Sequence, residues 1–443
     1  MSKKTIVRGT LLLTITGFAT RLLGFYNRIF LNRLIGVTEL GIYQLIFPIY
    51  IFSYAVCAQG IALSLIKNIA YYSGKGDRAA CHKLFGYSVL ITSVLGCFIT
   101  SLIMIFANPI SIYIIHNPST APLLRIIALA LPFVSVKTCF NSYFVGLNMP
   151  FIQGTSHFFE QMVRIITSYI LYIFFFQIFA GARIAVIAVV SGEILSSAYS
   201  FVYFLVKTKG DIAGEKRKKH DNNRKLLCSL IKDAVPISIN SISLTFLAAI
   251  EAILLPAMLV RYYSVSDDAL YMYGVISGIV MPFILFPSTI TNSLSTMLMP
   301  SVSSAYATSD AGKIEKARNN TICFCSALGI ASWLCFLLFG ELACRITFNN
   351  DVAGELLSSI GFICPIIYLC NALSSILTGI GKTYTNLLYN LIAIVIRLFI
   401  IAYYVPTHVI YAYIFAIVIS YSLQDILMII TSNRMEFPDT HNN

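Results

Sequence analysis

The sequence predicts an all-α polytopic membrane protein with about 12 transmembrane helices in two six-helix bundles, and three observations support this fold class. First, 58% of the 443 residues are hydrophobic and only 11% are charged, whereas soluble domains carry about 25% charged residues. Second, the apolar residues form runs of helix length, which exceed the roughly 10-residue strands of membrane barrels. Third, landmarks of the first half of the chain recur at a constant spacing in the second half.

Twelve apolar stretches are long enough to cross a bilayer, because about 20 helical residues span its hydrocarbon core. We place them at residues 6–35, 41–72, 85–107, 121–146, 152–179, 182–206, 234–260, 270–298, 320–347, 356–380, 384–404 and 408–431. The first stretch is too long for a signal peptide and lacks a small-residue cleavage site, so we expect it to remain as a span.

Basic residues are concentrated in alternate loops, and this asymmetry predicts the orientation of the chain. With the N-terminus inside, the cytoplasmic segments hold Lys3, Lys4, Arg8, Lys75, Arg78, Lys83, the run 207–232, Lys313, Lys316, Arg318, Lys382 and Arg434. The outer loops hold Arg33, Arg183, Arg261 and Arg345. Both termini are therefore expected in the cytoplasm, and the net charge of +12 is expected to face anionic lipid rather than nucleic acid.

Two halves of the chain resemble each other. Four pairs of residues share one offset, 365 − 132 = 233, and these are Pro132 and Pro365, Gly146 and Gly379, Arg164 and Arg397, and Asp77 and Asp310. The pattern predicts an N-terminal lobe at 1–206, a basic cytoplasmic linker at 207–233 and a C-terminal lobe at 234–433. Because each lobe has an even number of spans, the lobes are parallel repeats, which is typical of a transporter with a central cavity.

The first span carries two arginines, Arg21 and Arg28, within the stretch GFATRLLGFYNRIF. Their spacing of seven residues is two helical turns, so the side chains share one face and lie about 10 Å apart. A guanidinium at mid-bilayer depth costs ~3 kcal/mol or more. The pair therefore predicts a wet cavity with an anionic ligand. The alternative is snorkelling, in which the arginines, Arg28 above all, reach the headgroups.

Other charges within the spans have two interpretations each. Lys67 and Arg125 lie near span ends, where snorkelling is as good an explanation as ligand binding. Glu160 and Arg164 are spaced i, i+4 with the acid first, which favours a local ion pair as much as contact with a ligand.

Three acidic residues remain in the spans. Glu193 and Asp425 occupy the equivalent last helices of the two lobes, and we expect them to pair with Arg164 and Arg397. Glu251 has no basic residue nearby in the sequence. This isolation makes Glu251 the candidate for a protonatable or ion-coordinating group.

The balance of charge favours an anionic substrate. The positive charges of Arg21, Arg28 and Arg164 outnumber the negative charges of the acidic residues nearby in the first lobe. Arginine binds phosphate in bidentate fashion. Uncharged polar side chains accompany them, namely Asn27, Gln44, Gln59, Asn68, Asn141, Gln153 and Gln161. They suit sugar hydroxyls, although hydrogen bonds between helices are the commoner use of such residues.

Motifs for enzymatic chemistry are absent from the sequence. The 11 cysteines are scattered without a CxxC or Cys/His cluster, so we expect no metal site and no disulfide framework. There is no phosphate-binding loop, metalloprotease motif or nucleophile elbow. We therefore expect a protein that is not an enzyme and needs no cofactor.

Several segments resemble the stage V sporulation protein B family, a polysaccharide/oligosaccharidyl-lipid flippase branch of the multidrug/oligosaccharidyl-lipid/polysaccharide exporter superfamily. The matching segments are KKTIVRGTLLLTITGFATRLLGFYNRIFLNRLIG, GIYQLIFPIY, ALSLIKNIAYYSGKGD at 62–77, YFVGLNMPFIQGTSHFFEQMVRI at 143–165 and SGEILSSAYSFVYF at 191–204. The resemblance is clear over most of the N-terminal half and looser, but collinear, in the second half.

This resemblance implies a MATE-like fold in a bacterial plasma membrane, with two six-helix bundles in a V that alternate between inward-open and outward-open forms. The implied cargo is a lipid-linked saccharide, above all a peptidoglycan precursor for spore cortex assembly, and cell-wall synthesis enzymes are implied partners. By motif match, the substrate-binding residues are Arg21, Arg28 and Lys67, with Arg164 second. Asn27 and Glu160 complete the predicted binding set.

Two other functions remain open from the sequence. A proton- or sodium-coupled multidrug antiporter would use Glu251 to carry the ion, although span 1 lacks the carboxylate that such exporters commonly have there. A membrane scaffold for cell-wall enzymes would tolerate replacement of the intramembrane charges.

Overall fold

The structure is a computed structural model that describes residues 3–147, 149–175, 179, 181–212, 223–263 and 266–433. Within these ranges, every regular element is helical. Contacts between helices divide the chain into two compact units, Met1–Ala249 and Ile250–Asn443. Most of the predicted linker segment GEKRKKHDNNRK falls at 213–222 and lies outside the described residues.

The first unit is built from the helices before residue 250. Among the described residues these are α1 (Lys3–Tyr54), α2 (Gly60–Gly74), α3 (Arg78–Pro109), α4 (Thr120–Ala128), α5 (Ala130–Gly146), α6 (Phe151–Phe175), α7 (Ala182–Ile212) and the first part of α8 (Asn223–Tyr263). A wider π-helical turn at Ala55–Gln59 joins α1 to α2. Such turns are common at functional sites.

The second unit contains the rest of α8 and the helices that follow. These are α9 (Ser266–Tyr273), α10 (Met281–Leu285), α11 (Ser288–Ala307), α12 (Ala311–Phe348), α13 (Asp351–Ile360), α14 (Cys364–Gly379) and α15 (Thr383–Asn433). The predicted span 270–298 is interrupted before Pro287, which has no backbone N–H to continue the helix. The helix after the break extends to Ala307, beyond the predicted end.

Two of these long helices are each a pair of spans joined at a kink. The backbone is non-helical at Gly36, with φ of 81°, and at Val409, with φ of 52°. Ten segments of the described residues are long and apolar enough to cross a membrane, and one kink lies within the first of them and one within the last. The ten segments therefore contain twelve helical spans, which confirms the predicted count of about 12.

The internal repeat is visible in helix capping. Asp77 caps α3 by accepting a hydrogen bond from the Ala80 N–H, at 3.0 Å. Asp310 caps α12 in the same way, accepting from the Lys313 N–H at 3.0 Å. A hydrogen bond from the Lys313 ammonium lowers the pKa of Asp310, so this cap stays ionised. An N-cap acid of this kind stabilises a helix start by about 1 kcal/mol.

The repeat also appears in close helix packing at two glycines. A Cβ placed on Gly96 of α3 would lie 3.1 Å from the Pro132 Cα of α5. A Cβ on Gly329 of α12 would lie even closer to the Pro365 Cα of α14. The same glycine–proline contact thus brings equivalent helices together in each unit.

The two cores differ in side-chain type at equivalent positions. In the first unit the core contains Phe140, Tyr143 and Phe144 of α5, together with Leu226 and Leu230 of α8. In the second unit the α14 positions that correspond to those aromatic residues are Leu373, Ile376 and Leu377. The first part of α8 is therefore held in the first unit by apolar contact with an aromatic core.

Replacing Gly329 by alanine is expected to destabilise the second unit by about 1–3 kcal/mol, because the added methyl group overlaps the backbone of Pro365. Thermal unfolding of the purified protein in detergent measures this effect. Gly86→Ala is the matched control, since no atom lies within 4 Å of its Cβ position. The control should be neutral or stabilising by up to ~1 kcal/mol. Equal melting temperatures for the two variants would contradict the close contact.

Candidate functional site

Four charged side chains, three of them buried and Arg164 partly buried, form a network inside the first unit, which we call the charge tetrad: Lys137, Glu160, Arg164 and Glu193. The Lys137 ammonium donates to Glu160 Oε2 at 2.7 Å and also to the Glu193 carboxylate. The Arg164 guanidinium lies 2.9 Å from Glu193 Oε1 and also contacts Glu160. Lys137 is 2% exposed. Two cations and two carboxylates compensate each other, so the tetrad has no net formal charge.

The tetrad depends on close packing of α6 against α7. A Cβ on Gly192 would lie 2.8 Å from Arg164 Cγ and 3.2 Å from the Glu160 carbonyl oxygen, so a larger residue there would displace the arginine. The predicted local pair of Glu160 with Arg164 and the predicted pairing of Glu193 with Arg164 are both confirmed. No role for Lys137 was predicted from the sequence, because its two partners lie 23 and 56 residues away along the chain.

Tyrosines of α1 line the side of the tetrad. The Tyr54 hydroxyl is 3.3 Å from the Thr138 hydroxyl of α5. Tyr50 is buried, and within the described residues its hydroxyl and the Arg164 Nε have no hydrogen-bond partner. Tyr43 lies within electrostatic range of both Arg164 and Arg28. Polar groups of α1 thus lie near the tetrad.

The predicted arginines of the first span differ in environment. Arg21 is exposed, whereas Arg28 is partly buried and lies within electrostatic range of Tyr43. In the described part of the chain, no carboxylate forms an ion pair with Arg28. The neighbouring Asn27 has a buried Oδ1 without a hydrogen-bond partner there. The Gln44 Nε2, one residue from Tyr43, is buried and unpartnered as well. Buried polar atoms without a partner are suited to hydrogen bonding with a polar ligand or with water.

Lys67 lies in a different environment from the tetrad. Its ammonium is 2.7 Å from Asp233 Oδ1 of α8, and its side chain is 68% exposed. Of the predicted binding set, the structure therefore brings Glu160 and Arg164 into direct contact. Arg28 is not in contact with them, but both arginines lie within electrostatic range of Tyr43. The structure places Lys67 at the contact of α2 with α8.

In the second unit, Glu251 forms an ion pair with Arg397, with 3.3 Å between Oε2 and Nε. The Arg397 guanidinium also lies 4.9 Å from the centre of the Tyr421 ring. The expectation that Glu251 lacks a basic partner is therefore wrong. The partner is 146 residues away in sequence, so only tertiary packing brings it close.

The expected pairing of Asp425 with Arg397 is also wrong. Asp425 is 6% exposed, and its Oδ1 has no hydrogen-bond partner among the described residues. The repeat offset of 233 aligns Glu193 with Ile426, one residue after Asp425. A shift of one residue turns a side chain by about 100° around its helix. Asp425 therefore points from a different face of its helix than Glu193 does in the first unit.

Neutralising these two carboxylates is expected to have opposite effects on the stability of the protein. Glu251→Gln leaves the Arg397 charge buried without compensation and is expected to destabilise the protein by about 3 kcal/mol or more. Asp425→Asn removes a buried carboxylate that forms no ion pair within the part of the chain that the structure describes, so it is expected to be neutral or stabilising. Melting temperatures of the two purified variants measure the contrast. The assignment is wrong if Asp425→Asn costs as much as Glu251→Gln.

No group of three His, Cys, Asp or Glu side chains in the described ranges is arranged to hold a metal ion. The cysteines are all free, and several are buried within helices, such as Cys139 and Cys370.

Comparisons with known proteins agree with these features. The family described as "Polysaccharide biosynthesis protein" matches residues 6–306. Stage V sporulation protein B of Bacillus subtilis (strain 168) is 25% identical over 403 residues, covering 90% of this chain and 77% of that protein. Lipid II flippase MurJ of the same organism is 21% identical over 340 residues, covering 73% and 62% of the two chains.

A solved structure shares the fold. An inward-facing multidrug resistance MATE family transporter of the MOP superfamily aligns with a TM-score of 0.74 and 14% identity, covering 96% of this chain and 98% of that chain. This likeness confirms the predicted fold class of a multi-pass, all-α membrane protein. Because the family match covers well over half of the sequence, the chain belongs to the polysaccharide biosynthesis protein family.

Proposed function

We propose that the protein is a membrane transporter that moves a lipid-linked saccharide, such as a peptidoglycan precursor for spore cortex, across a bacterial plasma membrane by alternating access. The observation that carries this proposal is Arg28, a partly buried cation in a membrane span without an ion-paired carboxylate among the described residues. Similarity to a protein named as a lipid II flippase supports the substrate class.

In this proposal, Arg21 and Arg28 bind the diphosphate of the substrate from one face of α1. Arginine suits this role because its planar guanidinium forms two parallel hydrogen bonds to phosphate oxygens. The unpaired Asn27 Oδ1 and Tyr50 hydroxyl are available for sugar hydroxyls. We assign Glu160 and Arg164 to the wall of the site, since their charges are already compensated within the tetrad.

Orientation and energy source belong to the same proposal. The distribution of basic loops favours both termini in the cytoplasm, where cell-wall synthesis enzymes would supply the lipid-linked precursor. Transport without a nucleotide-binding motif draws on the membrane potential, an ion gradient or consumption of the product. For coupling to an ion, Glu251 and Asp425 are the candidate carboxylates of the second unit, and Asp425 is the one without a basic partner in the described ranges.

The test is complementation of a bacterial strain whose own lipid II flippase is depleted. Wild-type protein should restore growth and increase the lipid II that is accessible at the outer face of the membrane. Export of cationic dyes should not change. Restored dye export without a change in lipid II would instead identify a multidrug exporter.

A further inference from the structure

The contact of α2 with α8 is built from small and polar residues. Gly60, Ser64 and Asn68 are buried and recur every four residues, so they form one stripe along α2. A Cβ on Gly60 would lie 2.7 Å from the backbone N of Ser238, so only glycine allows α8 to approach there. The Ser64 hydroxyl donates to the Leu230 carbonyl oxygen at 2.8 Å. We call this contact the α2–α8 seam.

One end of the seam carries the ion pair of Lys67 with Asp233. Asp233 Oδ1 accepts from the Lys67 ammonium at 2.7 Å, and Oδ2 accepts from Asn68 Nδ2 at 3.2 Å. The Ser229 hydroxyl donates to Asn68 Oδ1 at 3.0 Å. The buried stripe holds the helices together, whereas the ion pair lies at the exposed edge, with side-chain exposures of 68% and 26%. Exposed ion pairs are weak and exchange partners easily.

An apolar cleft of about 400 Å³ lies beside the same seam, within the first unit. Its walls come from α8 and from the helices around α2 and α3, and they include Ile61, Leu95, Ile231, Val235 and Ile239. Leu230 belongs to both the cleft and the seam. A cation at an exposed edge next to an apolar cleft matches a ligand with an anionic head and a hydrocarbon tail.

We propose that the α2–α8 seam is a loading site for a polyprenyl diphosphate, in which phosphate oxygens replace the Asp233 carboxylate on Lys67 and the tail lies in the cleft. This proposal rests on the proposed transport function and deepens it. A diphosphate carries more negative charge than a carboxylate, so it competes well for one ammonium. Asp233 is thus a positioning residue that keeps Lys67 in place and is displaced when the substrate arrives.

The test measures binding of three probes to the purified full-length protein: farnesyl diphosphate, inorganic pyrophosphate and farnesol. Asp233→Asn frees Lys67 from its competitor and should tighten farnesyl diphosphate binding two- to fivefold. Lys67→Gln should weaken binding at least fivefold and should abolish the gain from Asp233→Asn in the double variant. Lys75→Gln, which removes an exposed lysine near the same end of α2, is the matched control and should leave the affinity unchanged.

The cleft is tested separately with Val235→Trp, which fills it. This variant should weaken farnesyl diphosphate binding and leave pyrophosphate binding unchanged. An equal loss of affinity for farnesyl diphosphate and pyrophosphate would show that the hydrocarbon tail does not bind in the cleft. Unchanged or weaker binding in Asp233→Asn, in protein that melts like wild type, would overturn the displacement of Asp233. A wild-type protein that binds none of the probes would overturn the whole loading site.

Failure of the loading site and failure of the proposed function give different results. If wild-type protein binds none of the probes but still restores lipid II transport, the loading site is wrong and the proposed transport function is retained. If the probes bind as expected but wild-type protein restores no lipid II transport, the seam is a lipid phosphate site in a protein of another function.

Discussion

Lys137→Met is expected to destabilise the first unit by about 3–5 kcal/mol, the usual cost of breaking a buried ion-pair network from one side. The substitution leaves Glu160 and Glu193 with a single cation, Arg164, and therefore leaves one uncompensated negative charge in the interior. Methionine has nearly the volume of the lysine stem, so the change in packing is small. Thermal or denaturant unfolding of the purified protein measures the loss.

A double variant separates charge from packing. Lys137→Met combined with Glu193→Gln leaves the Glu160–Arg164 pair, whose formal charges cancel, so a large part of the stability should return. Lys316→Met, at an exposed lysine, is the control and should change stability by no more than ~0.5 kcal/mol. If the single Lys137 variant is as stable as wild type, the tetrad does not stabilise the unit.

Arg28→Ala is expected to reduce lipid II transport at least tenfold, because one bidentate contact to phosphate contributes about 1.5–3 kcal/mol. Arg28→Lys keeps the charge but loses the fork geometry, so it should retain a part of the activity. Transport in the flippase-depleted strain, normalised to the amount of protein in the membrane, measures both. Arg21→Ala is expected to give a comparable loss, since both side chains share one face of α1.

Arg125→Ala provides the control for a generic loss of a cation. Arg125 is an exposed arginine of α4 whose guanidinium donates to Asn108 Oδ1 at 3.2 Å, so it already has a partner. Its removal should leave transport within twofold of wild type. Normal transport in Arg21→Ala and Arg28→Ala would show that the diphosphate is not bound by the first span.

The internal repeat was readable from the sequence because its landmarks are local. Asp77 and Asp310 cap helices through backbone groups three residues away, and this geometry needs no tertiary contact. The glycine–proline contacts of α3 with α5 and of α12 with α14 follow the same offset. Among the charges, the Glu160–Arg164 pair was predictable for the same reason, since i, i+4 spacing already places its members together.

The remaining partners depend on which helices pack together and on how each is rotated. Glu251 meets Arg397 and Lys67 meets Asp233 across 146 and 166 residues of chain. Asp425 misses Arg397 because it stands one residue before the position equivalent to Glu193. The four repeated residue pairs alone do not reveal this difference in side-chain direction. It becomes visible only when the two halves are aligned residue by residue.

By itself, the sequence determined the membrane-spanning α-helical class, the number of spans, the repeat and the stretch that carries Arg21 and Arg28. Apolar run length and local spacing are sufficient for these features. The thickness of the bilayer sets the length of a spanning helix, and the helical repeat sets which residues of one helix share a face. Only the tertiary structure decided that Lys137 completes a neutral tetrad, that Arg28 has no ion-paired carboxylate in the described residues and that Asp233 holds Lys67. The physical reason is that compensation of a buried charge depends on groups brought together by packing, at distances in the chain that no local pattern records.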